Sequence, residues 1–310
     1  MASLLVGNGV NYLGSGNVIS WENLLKELIR SINKEGVIDM NEKPFLHIYE
    51  EIYTRELRYT NTKETTIKQR IFNALATTTA NEYHQKITSI GFKNIMTTNY
   101  EYFLTPDSQR KNSETKYSLF RYQTHNNQKV WHIHGELNNL DSLMLGYDHY
   151  MGSINNMQTY LHKKKKDTDK QSWVDIFLND DIYILGLGLD FGEIDLWWLL
   201  SYRNREILAG NIDKKKIVYI DMVENQKDIA IAQTSENDFK NKPCEKQIKE
   251  AINNTKEKVE AQIKYQQNKA KLSMLEVLGV TVEKFYYEDR ERQFTAYDDA
   301  INFMNKELKG

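Results

Sequence analysis

Two histidines, His132 and His134, stand at the end of a predicted strand and are followed by Gly135. Residues i and i+2 of a strand share one face, so these two side chains could hold a metal ion. The sequence offers no cysteine nearby and its spacing indicates no third ligand, so we expect no metal. A histidine at the carboxyl end of a strand is better placed as a general base that faces a cleft. Taken alone, either histidine would be interpreted as structural.

Two further polar segments follow predicted strands. The first is GNGVN at residues 7–11, with Gly14 and Gly16 close behind it. Glycines in such a loop let the backbone approach a phosphate and donate its N–H groups, although a tight strand-to-helix turn explains them equally well. The second is TTNYE at residues 97–101. On spacing alone, this second segment is an ordinary turn.

The elements that must position these residues alternate between strands and helices. Short apolar runs predict strands at residues 3–7, 94–98, 117–122, 129–134, 143–146, 181–189, 215–222 and 280–287. Helices are predicted after Ser20, which is placed as an N-cap, and over residues 193–206 and 297–308. Continuous apolar strands that alternate with helices predict an α/β fold with a doubly wound, mostly parallel sheet.

Helical segments interrupt this alternation. Residues 36–90 and 147–172 carry apolar stripes at helical spacing and are too long for simple crossovers, so we predict helical insertions there. A long helix is predicted over about 244–275, before the last strand. Its sparse apolar stripe favours surface cover over an oligomer contact. We expect residues 1–310 to form a single domain with these insertions.

Composition limits the class of protein. The formal net charge of −2 provides no basic field, so direct nucleic-acid binding is not expected, and the lysine run at 163–166 is interpreted as solvated. The only cysteine, Cys244, cannot form an intramolecular disulfide or a cysteine-rich zinc site. No apolar run approaches about 18 residues, the length of a membrane helix. We therefore expect a soluble cytoplasmic protein.

The motifs together resemble those of the sirtuin superfamily. GNGVN is similar to the family's GAGxS phosphate loop, TTNYE to its TQNID-like motif, and His134-Gly135 to its catalytic histidine–glycine pair. The segment ILGLG at residues 184–188 looks like its later nucleotide-binding glycine loop. The motifs occur in the family's order across nearly the whole chain. The resemblance implies a Rossmann-like fold and NAD as the substrate.

Departures from the family pattern narrow the function that is implied. Sirtuin deacylases carry a four-cysteine zinc module, and their Asp-Phe-Arg element is replaced here by NVISWE at residues 17–22. The chain looks like the bacterial sirtuin-like NADases of anti-phage defence, which have a zinc-free small subdomain. That likeness implies an NAD+ hydrolase that forms a homo-oligomer or works beside a separate sensor, such as a HerA-type ATPase. The partner idea rests on analogy alone.

The resemblance also assigns roles to individual residues. Asn99 and His134 would form the catalytic centre, with a neutral His134 taking a proton from a ribose hydroxyl or from water. Glu101 would accept a hydrogen bond from the carboxamide of nicotinamide, although the family has the shorter aspartate there. The other implied NAD-binding residues are Gly7, Asn8, Gly9 and Asn11 at the pyrophosphate, Gly186, Leu187, Gly188 and Asp190 at the adenosine half, and Thr98 and Asp221.

Three alternatives stay open at this point. Asp221, at the predicted end of a strand, could bind the adenine ribose or could equally be a turn or capping residue. For the whole chain, a protein deacylase is the second enzymatic hypothesis, disfavoured by the missing cysteines. A module from another class, which binds NAD or ADP-ribose as a sensor or scaffold without cleaving it, is the third hypothesis.

Overall fold

The structure is a computed structural model that describes residues 1–14, 18–32, 37–40, 43–106, 116–163, 171–224, 263, 265–289 and 292–309. Three parts of the sequence discussed above lie outside the described residues: Cys244, residues 164–166 of the lysine run, and the first part of the helix predicted over 244–275. Within the described residues, no helix combines the length and apolar character needed to cross a membrane.

A seven-stranded sheet organises the described chain, in the order β3-β4-β2-β1-β5-β6-β7. The strands are β1 (Ala2–Val6), β2 (Asn94–Thr97), β3 (Tyr122–His125), β4 (Gln128–His132), β5 (Asp181–Leu185), β6 (Ile217–Glu224) and β7 (Thr281–Tyr287). Every neighbouring pair is parallel except β3 and β4, which form an antiparallel hairpin at one edge. The predicted α/β fold with a mostly parallel sheet is confirmed.

Helices cover both faces of this sheet. They are α1 (Trp21–Ser31), α2 (Phe45–Thr60), α3 (Glu64–Leu75), α4 (Glu82–Ser89), α5 (Tyr147–Lys163), α6 (Trp173–Asn179), α7 (Ile194–Leu208), α8 (residues 265–277) and α9 (Gln293–Lys309). As predicted, Ser20 caps α1, since its hydroxyl accepts a hydrogen bond of 2.9 Å from the backbone N–H of Asn23. A short 3-10 helix, Asn8–Tyr12, follows β1 directly.

The two faces of the sheet carry separate apolar cores, which is why the sheet is doubly wound. Successive residues of a strand point to opposite faces. Leu5 of β1 therefore packs with α6 and α7 on one side, while Leu4 and Val6 pack with α4 and α9 on the other. Burial on both faces explains the nearly continuous apolar runs in the central strands.

A third apolar cluster joins the helical layer to the sheet. α1, α2 and α3 pack together and against Tyr100, Leu143 and Leu145, which follow β2 and β4 in the chain. Of the helices within residues 36–90, α4 instead packs on the sheet. The helical layer therefore abuts the edge at which the candidate motifs emerge.

Two strand predictions are wrong. The strand expected at residues 117–122 is irregular chain, and β3 begins only at Tyr122. Asn126 and Asn127 have φ angles of 47° and 62°, so this Asn-Asn pair turns the β3–β4 hairpin, as such left-handed pairs do. Residues 143–146 are irregular too, and Leu143 and Leu145 are apolar because they fill the helical layer.

The position of Asp221 within its strand is also corrected. β6 continues to Glu224, so Asp221 lies inside the strand, opposite Lys284 of β7, and does not end it. β6 pairs with β5 only as far as Tyr219, which is opposite Ile184, but it pairs with β7 as far as Glu224. Asp221 is therefore past the end of β5 and level with the glycine loop that follows it.

Candidate active site

The sheet register brings the sequence motifs to one edge. Val6 pairs with Thr97 on one side and with Leu185 on the other, and Thr97 pairs in turn with His132. Four segments consequently leave the sheet side by side: those beginning at Gly7, Thr98, Ile133 and Gly186. Ligands of open parallel sheets bind at this carboxyl edge.

The two glycine loops pack directly against each other. The N–H groups of Gly7 and Gly9 donate to the carbonyl oxygens of Leu185 and Gly186, at 3.0 and 2.7 Å. A Cβ on Gly7 would stand 2.5 Å from Leu187 Cα, and one on Gly9 would stand 2.7 Å from Gly186 O. Close packing therefore requires both glycines, and their N–H groups are already used within the protein. If Gly7 and Gly9 contribute to NAD binding, they would do so by letting NAD approach the backbone closely, since their N–H groups already have acceptors in the protein.

The second glycine loop combines structural and open positions. Gly186 has a φ of 66°, which favours glycine, whereas a Cβ on Gly188 would meet nothing within 4 Å. The Leu187 side chain is buried in the core, and its carbonyl accepts a 3.0 Å hydrogen bond from the Tyr219 hydroxyl. Asp190 Oδ1 accepts a hydrogen bond of 2.6 Å from the N–H of Gly192, and this bond closes a local turn. Gly188 is therefore the position of this loop at which the described residues leave open space beside the backbone, with Lys271 Nζ donating to its carbonyl oxygen at 3.0 Å.

Asn99 is presented by a turn built from its neighbours. The Thr97 hydroxyl accepts a hydrogen bond of 3.1 Å from the N–H of Asn99 and donates one of 3.1 Å to the carbonyl oxygen of Val6. The N–H of Thr98 donates to the same carbonyl oxygen, at 3.2 Å. His132 Nδ1–H donates 3.2 Å to the carbonyl of Asn99. His132 therefore supports the turn and does not share a ligand with His134.

The side-chain carbonyl of Asn99 has no hydrogen-bond donor in the part of the chain that the structure describes. Asn99 is 4% exposed, and its Oδ1 is buried without a hydrogen-bond partner among the described residues. Its Nδ2 faces Gly7 O, at 3.5 Å. Leaving a buried acceptor unsatisfied costs about 1–3 kcal/mol, and such atoms are uncommon in folded proteins. This oxygen is therefore a strong candidate to receive a donor from a ligand.

His134 lies between two carboxylates. It is 3% exposed, with Nε2 at 3.1 Å from Asp195 Oδ2 and Nδ1 at 3.8 Å from Glu193 Oε2. The Tyr150 ring meets the imidazole edge-on at 5.5 Å, and the N–H of Met144 donates 2.9 Å to the carbonyl of His134. Burial alone would lower the pKa of His134, but attraction by Asp195 and Glu193 outweighs it and the pKa is raised.

Glu193 and Asp195 were missed from the sequence. Glu193 precedes the first residue of α7, and Asp195 is fully buried in the first turn of that helix. Burial raises the pKa of Glu193 to about 7, with Asp195 adding to the rise and His134 opposing it. The signal for both was the acidic segment DFGEID at residues 190–195, directly after the glycine loop. Only the fold shows that it reaches a histidine 61 residues away in the chain.

The same three residues are the group within the described chain whose spacing suits a metal ion. One ligand atom from each of His134, Glu193 and Asp195 lies within 4.8 Å of the other two. Asp195 Oδ2 accepts from Nε2 of the imidazole at 3.1 Å in this arrangement, whereas Glu193 Oε2, 3.8 Å from Nδ1, has no hydrogen-bond partner among the described residues. The sequence also raised His132 and His134 as a pair of metal ligands. In the structure the two rings have different partners: His132 Nδ1 binds the carbonyl oxygen of Asn99, and His134 Nε2 binds Asp195 Oδ2.

Asn11 and Glu101 form one unit. Nδ2 of Asn11 donates to Glu101 Oε1 at 2.9 Å and to Asn8 Oδ1 at 2.8 Å. Asn11 therefore directs its amide into the protein and towards Glu101, away from the role of a pyrophosphate donor. Burial raises the pKa of the Glu101 carboxyl, and hydrogen bonds from Asn11 and Asn99 counteract the rise.

Asp221 stays a candidate for the ribose. It is 6% exposed, and its Oδ2 is buried without a partner among the described residues. Because it follows Tyr219, whose hydroxyl binds the carbonyls of Leu187 and Gly188, it lies beside the second glycine loop. A buried carboxylate oxygen there suits a hydroxyl donor, and the assignment remains a prediction.

Comparison with known proteins gives one positive result. Residues 93–198 match the family model described as SIR2-like domain. No curated protein matches the chain. The matched range contains Asn99, His134, the second glycine loop and Asp195, while residues 7–11 reach the same edge through the pairing of β1 with β2 and β5. The match supports a sirtuin-like assignment, with NAD-related activity and NAD binding in general.

Proposed function

From the SIR2-like match and this site, we propose that the protein is an NAD+ glycohydrolase, which cleaves the nicotinamide–ribose bond to release nicotinamide and ADP-ribose. The observation that carries the proposal is the buried Oδ1 of Asn99, which has no partner among the described residues and lies on the segment beside the one that bears His134. A buried acceptor next to a carboxylate-bound histidine is suited to a substrate that carries hydroxyl groups.

Asn99 would position the groups that react. Loss of nicotinamide leaves an oxocarbenium-like ribose, as in other glycosidic cleavages. Asn99 Oδ1 accepts from a ribose hydroxyl or from the attacking water, while the turn formed by Thr97 and His132 keeps the amide in place. Fixing the reacting groups in this way converts an encounter in solution into a reaction within one complex.

His134 would supply the base. In its neutral form it takes a proton from the water or the ribose hydroxyl, and Asp195 then stabilises the imidazolium that forms. Glu193 adds a second negative charge at 3.8 Å. The two carboxylates also favour the positive charge that develops on the ribose.

Cysteine content supports hydrolysis over protein deacylation. A single cysteine, Cys244, cannot build the four-cysteine zinc module that the deacylases of the resembled family carry. The proposed reaction therefore needs NAD and water and no acyl-lysine peptide. NAD is a substrate in this proposal, and no metal is part of it.

The biological role in the proposal rests on the sequence resemblance. We place the protein in the cytoplasm as an effector of bacterial anti-phage defence that depletes NAD. It would work as a homo-oligomer, together with a separate sensor such as a HerA-type ATPase. Mass measurement of the purified protein, followed by an NAD assay on each species, tests the assembly directly.

The catalytic proposal is tested by nicotinamide release in wild-type protein and in Asn99→Ala and His134→Ala. We expect both variants to lose about 100-fold or more in kcat, the scale of a removed acid–base or positioning group. Asn73→Ala and His47→Ala, at exposed positions on α3 and α2, are matched controls that should retain full activity.

Each other outcome favours a different hypothesis. Turnover that strictly requires an acyl-lysine peptide would favour the deacylase. Tight binding of NAD or ADP-ribose without cleavage, by protein alone and with candidate partners, would favour the sensor or scaffold.

A further inference from the structure

A chain of buried hydrogen bonds links the start of α4 to Glu101. Asn81 caps α4, because its Oδ1 accepts 2.9 Å from the N–H of Tyr83. The backbone N–H of Asn81 donates 3.1 Å to His84 Nδ1, which completes a capping box. His84 is 3% exposed, so its ring has few alternatives to these protein partners.

These contacts specify which ring nitrogen of His84 carries the proton. Nδ2 of Asn11 faces two oxygens, Asn8 Oδ1 and Glu101 Oε1, so the atom that Asn11 turns towards His84 is its Oδ1. Because that oxygen can only accept, the hydrogen of the neutral ring is on Nε2 and is donated to Asn11 Oδ1 over 2.8 Å. Nδ1 then accepts from the N–H of Asn81 at 3.1 Å, with the carbonyl oxygen of Asn81 3.2 Å from the same nitrogen. The opposite tautomer would let Nδ1–H donate to the carbonyl oxygen of Asn81 but would leave the N–H of Asn81 without its acceptor. It would also turn the Asn11 carbonyl oxygen towards the Glu101 carboxyl.

Asn11 is held on both its side chain and its backbone. With Oδ1 bound by His84, its Nδ2 is directed to Glu101 Oε1, at 2.9 Å. The Asn81 amide meanwhile donates to the carbonyl oxygens of Val10 and Asn11, at 2.9 and 3.2 Å. Two side chains that precede or begin α4 thus fix the residue that orients Glu101.

We propose that His84 is a positioning residue for the NAD site, and that it acts through Asn11 to hold the Glu101 carboxyl towards the carboxamide of nicotinamide. This inference rests on the proposed function and extends it to a residue that no motif includes. His84 itself touches no substrate. It belongs to α4, which packs on the sheet, so the position of Glu101 is tied to the rigid core.

Two substitutions separate the hydrogen bond from the packing of the ring. His84 meets the Phe103 ring edge-on at 5.1 Å, so His84→Phe keeps an aromatic ring there but removes the donor to Asn11. His84→Gln places an amide N–H near the position of Nε2 and keeps that donor. The thermal midpoint of each variant shows whether the fold is intact.

The test compares NAD with its 3-acetylpyridine analogue, in which a methyl group replaces the carboxamide nitrogen and leaves no N–H to donate. We expect His84→Phe to lower kcat/KM for NAD about 10- to 100-fold, the loss of a hydrogen bond to a charged group, while the analogue changes less than about threefold. His84→Gln should restore most of the NAD activity. An equal fall for both dinucleotides, no fall for either, or a glutamine variant as impaired as the phenylalanine variant overturns the proposal.

A second measurement keeps this inference separate from the fate of the glycohydrolase proposal. If wild-type protein does not cleave NAD, the same comparison is made on the dissociation constants of the two dinucleotides. Weakened binding of NAD alone in His84→Phe then supports the positioning role, and equal weakening or no change rejects it. Nitrogen chemical shifts of His84 in unliganded protein add a direct check. A proton on Nε2 supports the arrangement, and a proton on Nδ1 overturns it.

Discussion

His134 has a carboxylate facing each ring nitrogen, and the nearer one, Asp195 at 3.1 Å, has the larger influence on its protonation. Attraction by Asp195 and Glu193 overcomes the effect of burial and raises the pKa of His134. The two carboxylates therefore stabilise the imidazolium relative to the neutral ring, and the neutral base forms as the pH rises through that raised pKa. The reaction then needs Asp195 both to orient the ring and to stabilise its charged form.

Asp195→Asn removes the negative charge and should lower the pKa of His134. We expect the acid limb of the pH profile of kcat/KM to move to lower pH and kcat to fall about 10- to 100-fold, because the imidazolium formed during turnover loses its partner. Steady-state rates between pH 5 and 9 measure both effects, with the exposed Asp213→Asn as the control. An acid limb that stays in place or moves to higher pH contradicts this assignment.

Substitution of Glu193 should raise the free energy of unfolding by an amount that depends on pH. Its side chain is 22% exposed, and burial raises its pKa to about 7 from an ordinary value of 4.5. Ionisation therefore costs the folded state nothing below pH 4.5, and the cost grows as the pH rises towards 7, reaching about 3 kcal/mol above it.

Glu193→Gln cannot ionise, so its free energy of unfolding relative to wild type should be higher at pH 8 than at pH 5. Urea unfolding at the two pH values measures the difference, and Glu206→Gln, on the same helix, is the control. A difference that is the same at both pH values would show that Glu193 does not titrate in this range.

Among individual residues, the sequence predicts those that lie in a recognisable motif and misses those whose partners are distant in the chain. Asn99 and His134 could be singled out because the short motifs that carry them, each after a strand, resemble those of the sirtuin superfamily. Glu193 and His84 could not, since an acid before a helix and a histidine in a first turn are common capping residues. Their partners are distant in the chain: His134 for Glu193, and Asn11 for His84.

At the scale of elements, α5 supports the candidate active site through its first turn. Nδ1 of His149 accepts hydrogen bonds from the N–H groups of Leu145 and Gly146, at 3.2 and 3.0 Å. Nε2 faces two groups of α3: Glu64 Oε1, to which Nε2–H donates at 2.9 Å, and Lys68 Nζ, at 3.1 Å. The segment held in this way includes Met144, which bonds the carbonyl of His134. The helical layer is thereby coupled to His134, the proposed base.

His149→Phe should destabilise the protein by about 2–4 kcal/mol, because it leaves two backbone donors without their acceptor and removes one hydrogen bond to Glu64, which keeps its contacts with Tyr49 and Lys68. Turnover should fall as well, since the Tyr150 contact with His134 depends on the same turn. His149→Asn keeps an acceptor near the position of Nδ1 and should be milder in both respects. Urea unfolding and nicotinamide release measure the two effects. A phenylalanine variant as stable as wild type would refute this coupling.

Elements with strong local chemistry were predictable. Ser20 caps α1 as expected, and the apolar runs of β1, β2 and β5 are strands. Residues 117–122 and 143–146 were misassigned because irregular chain that fills a core is as apolar as a strand. The Asn126-Asn127 turn was the overlooked signal, since it marks the hairpin that begins only at Tyr122.

At the scale of the whole molecule, the alternation of strands and helices predicts the fold class but not which strands are neighbours. The order β4-β2-β1-β5 brings the first glycine loop between the Asn99 turn and the second glycine loop, although β1 lies outside the range of the SIR2-like match. Long-range pairing of this kind has no local signature. It is what turns four short motifs into one candidate site.

The central claim is that Asn99 and His134 cleave the nicotinamide–ribose bond of NAD. The most direct measurement is chromatographic detection of nicotinamide and ADP-ribose from NAD incubated with wild-type protein and with Asn99→Ala, alone, with candidate partners, and without any acyl peptide. The account predicts equimolar release of both products by wild-type protein and a loss of about 100-fold or more in the variant. Release that is unchanged in Asn99→Ala, or no release by any wild-type assembly that binds NAD, would contradict it.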